Sequence, residues 1–309
     1  MEAVKVFCPA TIANISCGFD VLGVALDSIG DEMVVRKTSK EGIHITKIEG
    51  QDLPMETAKN VAGVAGMALL EDIGHQGGFE IEIYKQIKAG SGIGSSAASS
   101  TGAVWAMNEL LGKPYSSLEL VKFAMEGERL ASGVAHADNV APALFGGFTL
   151  VRSYAPLDII PIPSPNELYA TVIHPQIEVR TADSRKILKT KITLADGIKQ
   201  WGNVGGLIAG LFTADYDLIG RSLEDHIVEP IRSILIPGFN EVKSEALLAG
   251  ALGCGISGSG PSIFSFSKGK QTAEQVGQAM ENVYRNIGVD YEIHVSQVNS
   301  KGIKIVDRI

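Results

Sequence analysis

The stretch from Phe79 to Leu111 most constrains what this chain can fold into. Residues 79–85 (FEIEIYK) alternate strictly between apolar and polar, the pattern of a half-buried strand. The turn Ala89-Gly90-Ser91-Gly92-Ile93-Gly94 follows, and Ser95-Ser96-Ala97-Ala98-Ser99-Ser100 opens a small-residue run that reaches Leu111 before Gly112 and Pro114 end it. Strand, glycine loop and helix in that order are what a phosphate site requires. A phosphate needs several backbone N–H donors converging on one point, and glycine permits the left-handed dihedrals and close approach of such a nest. The helix would add its positive N-terminal end and the unpaired N–H groups of Ser95, Ser96 and Ala97. Hydroxyls on Ser95 and Ser96 could reach a phosphate oxygen or a Mg²⁺ ion. No lysine follows Gly94, so the Walker pattern is absent, and the dinucleotide spacing G-x-G-x-x-G also fails. The bland alternative is a turn that merely joins strand to helix.

The rest of the composition narrows the class. A chain of 309 residues is about twice the usual domain size, so two domains or one elaborated unit are expected. Apolar residues at 45% and charged ones at 20% suit an ordinary globular enzyme, and a net charge of −8 leaves no basic stripe for a nucleic acid. Cys8, Cys17 and Cys254 form no C-x-x-C pair and read as small buried hydrophobes in a reducing compartment. The N-terminus lacks a signal-peptide pattern, and no apolar run approaches the ~20 residues that cross a bilayer. A cytoplasmic protein without a membrane partner is expected.

Strands are expected at 2–8, where Pro9 ends the alternation, and at 31–37, 43–49, 79–85 and 148–154. Helices are expected at 57–70 with Thr57 as N-cap, at 95–111 and at 117–132. Pro156, Pro161, Pro163 and Pro165 read as a connection, which divides the chain into 1–155 and 156–309. The second half offers strands at 168–174, 262–267, 290–297 and 303–308, and helices near 182–189, 197–213, 215–226, 240–252 and 272–287. A second glycine loop is expected at 253–260. Strands and helices mixed without regular alternation suggest an α+β layer sandwich.

Lys88-Ala89-Gly90-Ser91-Gly92-Ile93-Gly94-Ser95-Ser96-Ala97 resembles the P-x-x-x-G-[LI]-G-S-S-A loop of the GHMP kinases. Pro9–Gly23 resembles that family's N-terminal block and Gly255–Ser262 its C-terminal glycine motif, in the right order. G-F-D-x-L-G at Gly18–Gly23, H-x-D-N-V-A-P at His136–Pro142, T-A-x-x-R at Thr181–Arg185 and E-P-x-R-x-x-x-[IL]-P-G at Glu229–Gly238 are closest to the branch that phosphorylates homoserine. These blocks run from residue 9 to 262. Two departures stand in the loop: Lys88 sits where the family usually has proline, and Ile93 replaces the commoner leucine.

The resemblance implies a two-domain fold, a ribosomal-protein-S5-like α/β domain followed by a ferredoxin-like α+β domain. It implies ATP and Mg²⁺ as cofactors, L-homoserine as acceptor, threonine biosynthesis as context and a homodimer as assembly. The nucleotide would be held by Asn60 and Val61, resembling the adenine contact, and by the loop Lys88, Ala89, Gly90, Ser91, Gly92, Ile93, Gly94, Ser95, Ser96, Ala97 and Ala98. Ser96 and Glu128 resemble the metal pair, with Glu126 as the alternative. Asn14, Asp138 and Asn139 would act on the hydroxyl. Asp138 matches an aspartate thought to serve as base in mevalonate kinase-like relatives, yet a loose phosphoryl transfer builds little charge on the attacking oxygen, so positioning could suffice. Asp20 would take the ammonium, and Arg185 and Arg232 the carboxylate. His136 either joins that pocket or is a structural hydrogen-bonding histidine. Gly258, Ser259 and Gly260 either cap the acceptor side of the phosphates or make a tight turn. Two other functions compete: a GHMP kinase for a sugar or isoprenoid, against which Arg185 and Arg232 speak because an uncharged sugar gives them nothing to pair with, and a non-catalytic sensor, which could lose its metal ligands freely, so that Ser96, Glu128 and Asp138 together argue for turnover.

Overall fold

The structure is a computed structural model that describes residues 2–74, 77–179 and 181–309. Strand β1 (Ala3–Ala13) runs past Pro9, and the register with β2 (Leu22–Thr38) shifts between Pro9 and Thr11. The proline expected to end the strand is instead absorbed by that irregularity, where no ladder N–H is required of it. β3 (Gly42–Glu49) leads to helix α1 (Val61–Ile73), capped by Asn60 rather than Thr57. Thr57 begins a short 3₁₀ turn, and its hydroxyl donates to the Ile43 carbonyl at 2.8 Å. Strand β4 (Gly78–Tyr84) then feeds the glycine loop and α2 (Ser95–Leu110), and α3 (Ser117–Ser132) follows behind a Ser116/Glu119 capping box.

Almost every α2 residue is buried. Its serines, alanines and Gly102 let it lie close on the sheet, so close that a side chain at Gly102 would meet the Cys8 sulfur at 2.4 Å. The buried-hydrophobe reading of Cys8, Cys17 and Cys254 holds, since all three are free and buried.

A short helix, α4 (Val140–Phe145), was not expected; six residues centred on a proline carry too little periodicity to announce it. β5 (Phe148–Tyr154) pairs with β6 (Leu157–Ile162) inside the stretch read as a proline connection. Among the described residues β6 pairs only with β5, and an edge strand tolerates Pro161.

The second sheet begins with β7 (Leu168–Pro175). Helices α5 (Thr181–Lys186), α6 (Leu194–Thr213), α7 (Tyr216–Ser222), α8 (Glu229–Arg232) and α9 (Phe239–Leu248) lead to β8 (Gly253–Ile256). Residues 253–256, expected to open a loop, are therefore a strand paired antiparallel with β9 (Ile263–Lys268). The glycine loop proper starts at Ser257. Helix α10 (Lys270–Ile287) and β10 (Tyr291–Gln297) complete the second sheet, while β11 (Lys304–Arg308) returns to β1.

The fold is thus two-domain and α+β. A seven-stranded sheet orders β11-β1-β2-β4-β3 with β5 and β6 joined at β2, and a four-stranded antiparallel sheet orders β10-β7-β9-β8. A separate core of Ile173, Phe239, Val242, Met280 and Tyr284 packs α9 and α10 on the second sheet. The division at residues 155/156 stays a proposal about folding units; hydrogen bonding alone assigns β6 and β11 to the first sheet.

Candidate active site

A cleft of about 370 Å³ lies where the glycine loop, the β1–β2 turn, the ends of α3 and α5, the start of α4, α8 and the Ser257–Gly260 turn meet. Gly90, Gly92, Gly94, Ser95, Ser96 and Val61 line one end; Asn14, Asp20, His136, Asp138, Asn139, Arg185, Arg232, Gly258 and Ser259 line the other, with Glu128 between them beside Ser96. Residues that lie more than two hundred positions apart in sequence thus share one cavity.

The loop is locked from behind. Gly94 adopts φ 73°, and a Cβ there would sit 2.0 Å from the Thr11 hydroxyl oxygen. Gly92 adopts φ 84°, and a Cβ there would lie 2.7 Å from the carbonyls of both Ser257 and Gly260. Only glycine combines that conformation with that contact. The Ser257 hydroxyl donates to the Gly92 carbonyl at 2.7 Å, and the Ser262 amide donates to the Ser91 carbonyl at 3.2 Å. The two glycine motifs therefore interlock.

At the loop entrance, the Lys85 ammonium pairs with Asp31, both nearly buried, and also donates to the Ser95 carbonyl at 3.1 Å and the Ser99 hydroxyl at 3.2 Å. Asp31 accepts the amides of Gln86 and Ile87 at 2.8 and 2.9 Å. Lys85, Ser99, Leu53, Ala131 and Ser132 line the cleft without having been expected there. Lys85 is the last residue of the alternating segment 79–85, so its place before the glycines was its only signal.

Several expected residues do not line the cleft. Asn60 spends its side chain on the α1 cap, accepting from Ala62 and Gly63 and donating to the Pro54 carbonyl at 2.8 Å. Lys88 reaches out to the Gln176 side chain from an exposed position. Ser91, Ile93, Ala97 and Ala98 turn inward and are buried. Gly260 packs behind Gly92.

At the other end, β1 exits into three consecutive left-handed residues, Asn14 (φ 72°), Ile15 (φ 43°) and Ser16 (φ 54°), and Asp20 has φ 61°. Such backbone is costly for non-glycine residues and persists only where the surroundings fix it. Here the Asn14 amide group donates to the Gly258 carbonyl at 2.7 Å and accepts the Asp20 N–H at 3.0 Å. The Tyr154 hydroxyl donates to the Asp20 carbonyl at 3.1 Å. Asn139 accepts from the Thr11 hydroxyl at 2.7 Å.

Asp20 and Arg185, expected to grip opposite ends of an amino acid, grip each other through a two-pronged pair at 2.8 and 3.1 Å. His136 Nδ1 lies 3.8 Å from Asp20, its buried Nε2 has no partner among the described residues, and burial holds its pKa below the ordinary value. Arg232 is 3% exposed and donates to the carbonyls of Ser184 and Gly258 at 3.1 and 3.2 Å. Burial, then the neighbouring Arg185 charge, pull its pKa down to about 10.

Two carboxyls are poised near neutrality. Burial raises Glu128 to about 7, opposed by the neighbouring Ser96 hydroxyl, and its buried Oε1 has no partner among the described residues. Burial raises Asp138 to about 7 as well, helped by the charges of Asp20 and Glu128. Buried carboxyls so poised cluster at functional sites. Glu126, the alternative metal ligand, is tied to Arg129 at 3.0 and 3.3 Å and does not line the cleft. Ser96 and Glu128 fit a hard cation, offering a hydroxyl and an orphaned carboxylate oxygen.

A glycine loop that opens α2 and faces an acid- and arginine-lined pocket is the arrangement of a small-molecule phosphotransferase. Residues 56–147 match the family described as "GHMP kinases N terminal domain" and residues 207–286 match "GHMP kinases C terminal". A homoserine kinase of Chlorobium phaeobacteroides is 48% identical, covering 99% of this chain and 100% of its own. One from Chloroherpeton thalassium is also 48% identical over the same shares. The crystal structure of homoserine kinase from Cytophaga hutchinsonii superposes with a TM-score of 0.95 at 54% identity, over 99% of this chain and 98% of that one. The chain belongs to the GHMP kinases and, within them, to the homoserine kinase family.

Proposed function

We propose that this cleft transfers the γ-phosphoryl group of ATP to the side-chain hydroxyl of L-homoserine, giving O-phospho-L-homoserine for threonine biosynthesis. The observation that carries the reading is the convergence of the glycine loop, Asp138 and the Asp20–Arg185–Arg232 cluster on one cavity, in a chain of this family. A zwitterion offers a new partner to each member of the Asp20–Arg185 pair, its ammonium to Asp20 and its carboxylate to the arginine forks. A sugar offers neither, and mevalonate offers a carboxylate without the ammonium.

The loop amides and the α2 N-terminus hold the triphosphate. Ser96 and Glu128 hold Mg²⁺, which when bound neutralises phosphate charge. Asn14 and Asn139 hold the turn and loop around the acceptor hydroxyl, and Asp138 orients that hydroxyl and can receive its proton. Because the transfer is largely dissociative, orientation matters more than early proton abstraction. The same reading includes a cytoplasmic homodimer. Three free buried thiols suit a reducing compartment, and Leu194, Ile198, Trp201 and Phe212 leave an apolar stripe exposed along α6.

The test is ADP release with homoserine, mevalonate, galactose and shikimate in turn. Turnover with homoserine alone is expected. Preference for a sugar or mevalonate would overturn the acceptor, and release with none of them would favour the sensor.

A further inference from the structure

Phe19 stands between Gly18 and Asp20 in the turn that leaves β1, and no part of the reading above uses it. The turn around it is pinned: the Gly18 amide donates to the Asn14 carbonyl at 2.8 Å, and the Leu22 amide donates to the Gly18 carbonyl at 2.9 Å. Onto its ring converge the guanidinium groups of Arg185 and Arg232. The Arg232 Cζ lies 5.0 Å from the ring centroid and the Arg185 Cζ lies 5.4 Å from it. Both distances fall within the reach of a cation–π contact.

Two guanidiniums brought together for one carboxylate repel each other before it arrives. Asp20 relieves part of that repulsion by pairing with Arg185, yet in doing so it occupies N–H donors that the incoming carboxylate needs. An aromatic face attracts cations through its quadrupole and takes up no donor in the plane of the fork. Arg232, whose own donors reach two backbone carbonyls, has most to gain.

We propose that Phe19 is a positioning residue for carboxylate recognition, its ring holding Arg185 and Arg232 together so that their forks meet the carboxylate of the acceptor. This rests on the homoserine reading of the same cleft. It assigns the aromatic residue of the G-F-D segment a task in specificity rather than in packing.

The experiment compares two acceptors, L-homoserine and 3-amino-1-propanol, which has the ammonium and hydroxyl but no carboxylate. The parent enzyme should favour homoserine strongly. Phe19→Leu should lower kcat/KM for homoserine about tenfold through KM, the size expected of lost cation–π contacts. It should leave the ATP KM and the kcat/KM for the amino alcohol within about twofold. Phe19→Trp, with the stronger ring face, should restore homoserine recognition to within about threefold. Should Phe19→Leu fail to melt cooperatively, Phe19→Met removes the ring with similar volume and replaces it. Equal losses on both acceptors, or no loss on homoserine, would overturn the proposal while the arginine assignment stands. A parent that treats the two acceptors alike would overturn the arginine assignment and the Phe19 proposal with it.

Discussion

The glycine-loop end and the arginine end of the cleft are built on opposite plans. At the loop end, contiguous main chain does the shaping: Gly92 and Gly94 hold left-handed backbone against Ser257, Gly260 and Thr11, where a Cβ would collide. At the arginine end, side chains from four separate segments meet, Asp20 from the first turn, His136 before α4, Arg185 from α5 and Arg232 from α8. A backbone nest recognises any phosphate and tolerates exchange of side chains around it. A cluster of side-chain charges recognises one arrangement of charge and fails when a single member changes. Nucleotide binding should therefore be robust where acceptor binding is brittle.

The largest expected effect lies between the two ends, at the metal pair. Glu128→Gln, and likewise Ser96→Ala, should reduce kcat by on the order of 10³-fold with the fold retained, since each removes an oxygen ligand of the charge-neutralising cation. Activity close to that of the parent at limiting Mg²⁺ would sink the assignment. The same Glu128→Gln variant should be more stable than the parent. Glu128 in the fold binds its proton up to about 7, above its ordinary 4.5, so the folded state holds more protons than the unfolded one between those values. Stability then falls as pH rises through that window. The relief should be on the order of 3 kcal/mol above pH 7 and should shrink toward pH 4.5. Chemical unfolding of the apoprotein at pH 8 and pH 5 measures it; equal stabilisation at both would contradict the buried carboxyl.

Asp138→Asn comes next. Deleting a positioning carboxylate should lower kcat by roughly 10–10²-fold, whereas deleting an obligatory base costs up to about 10⁴-fold. A profile of kcat from pH 6 to 9 at saturating substrates separates the two. A fall beyond roughly 10³-fold, with loss of an acid limb near 7, would make Asp138 the base.

Arg232→Lys tests the brittle end directly. A single ammonium cannot reproduce a planar two-pronged fork, so the homoserine KM should rise roughly tenfold to thirtyfold while the ATP KM moves less than about twofold. Equal changes in both would move Arg232 to the nucleotide.

The two plans also explain what could be read in the sequence. The strand, glycine loop and helix at 79–110 were legible because all the physics is local: alternation, then φ-permissive residues, then small residues for close packing. The arginine end was legible only through resemblance of short blocks. Nothing local distinguishes Arg185 or Arg232 from a solvated charge, and nothing at all predicted that Asp20 and Arg185 would pair. Lys85 was missed because a buried lysine declares itself only by its partner, and Asp31 lies 54 residues away. Pro9 and Pro161 misled for one reason: proline forbids a ladder donor, yet bulges and edges ask for none. Residues 253–256 misled because two glycines in four residues look like a loop until a partner strand is known.

The smallest effect should come from Lys88, where the chain departs from the proline that usually opens the family loop. Its ammonium meets the Gln176 side chain at an exposed position and lies off the cleft lining. A contact of that kind contributes little, because water competes for both partners and the long side chain loses rotamer freedom in making it. The loop entrance has stronger supports. The Ala89 amide donates to Gln51 Oε1 at 2.8 Å, and Gln51 in turn donates to the Ile87 carbonyl at 2.7 Å. Beneath them Asp31 takes the amides of Gln86 and Ile87 while Lys85 ties Asp31 to α2. These bonds fix the entrance main chain whatever side chain residue 88 carries. Lys88→Ala should therefore shift the ATP KM by less than about threefold and leave the homoserine KM unchanged. A tenfold rise in the ATP KM would mean that the loop end relies on a side-chain charge after all, and the contrast between the two ends would fail at that residue.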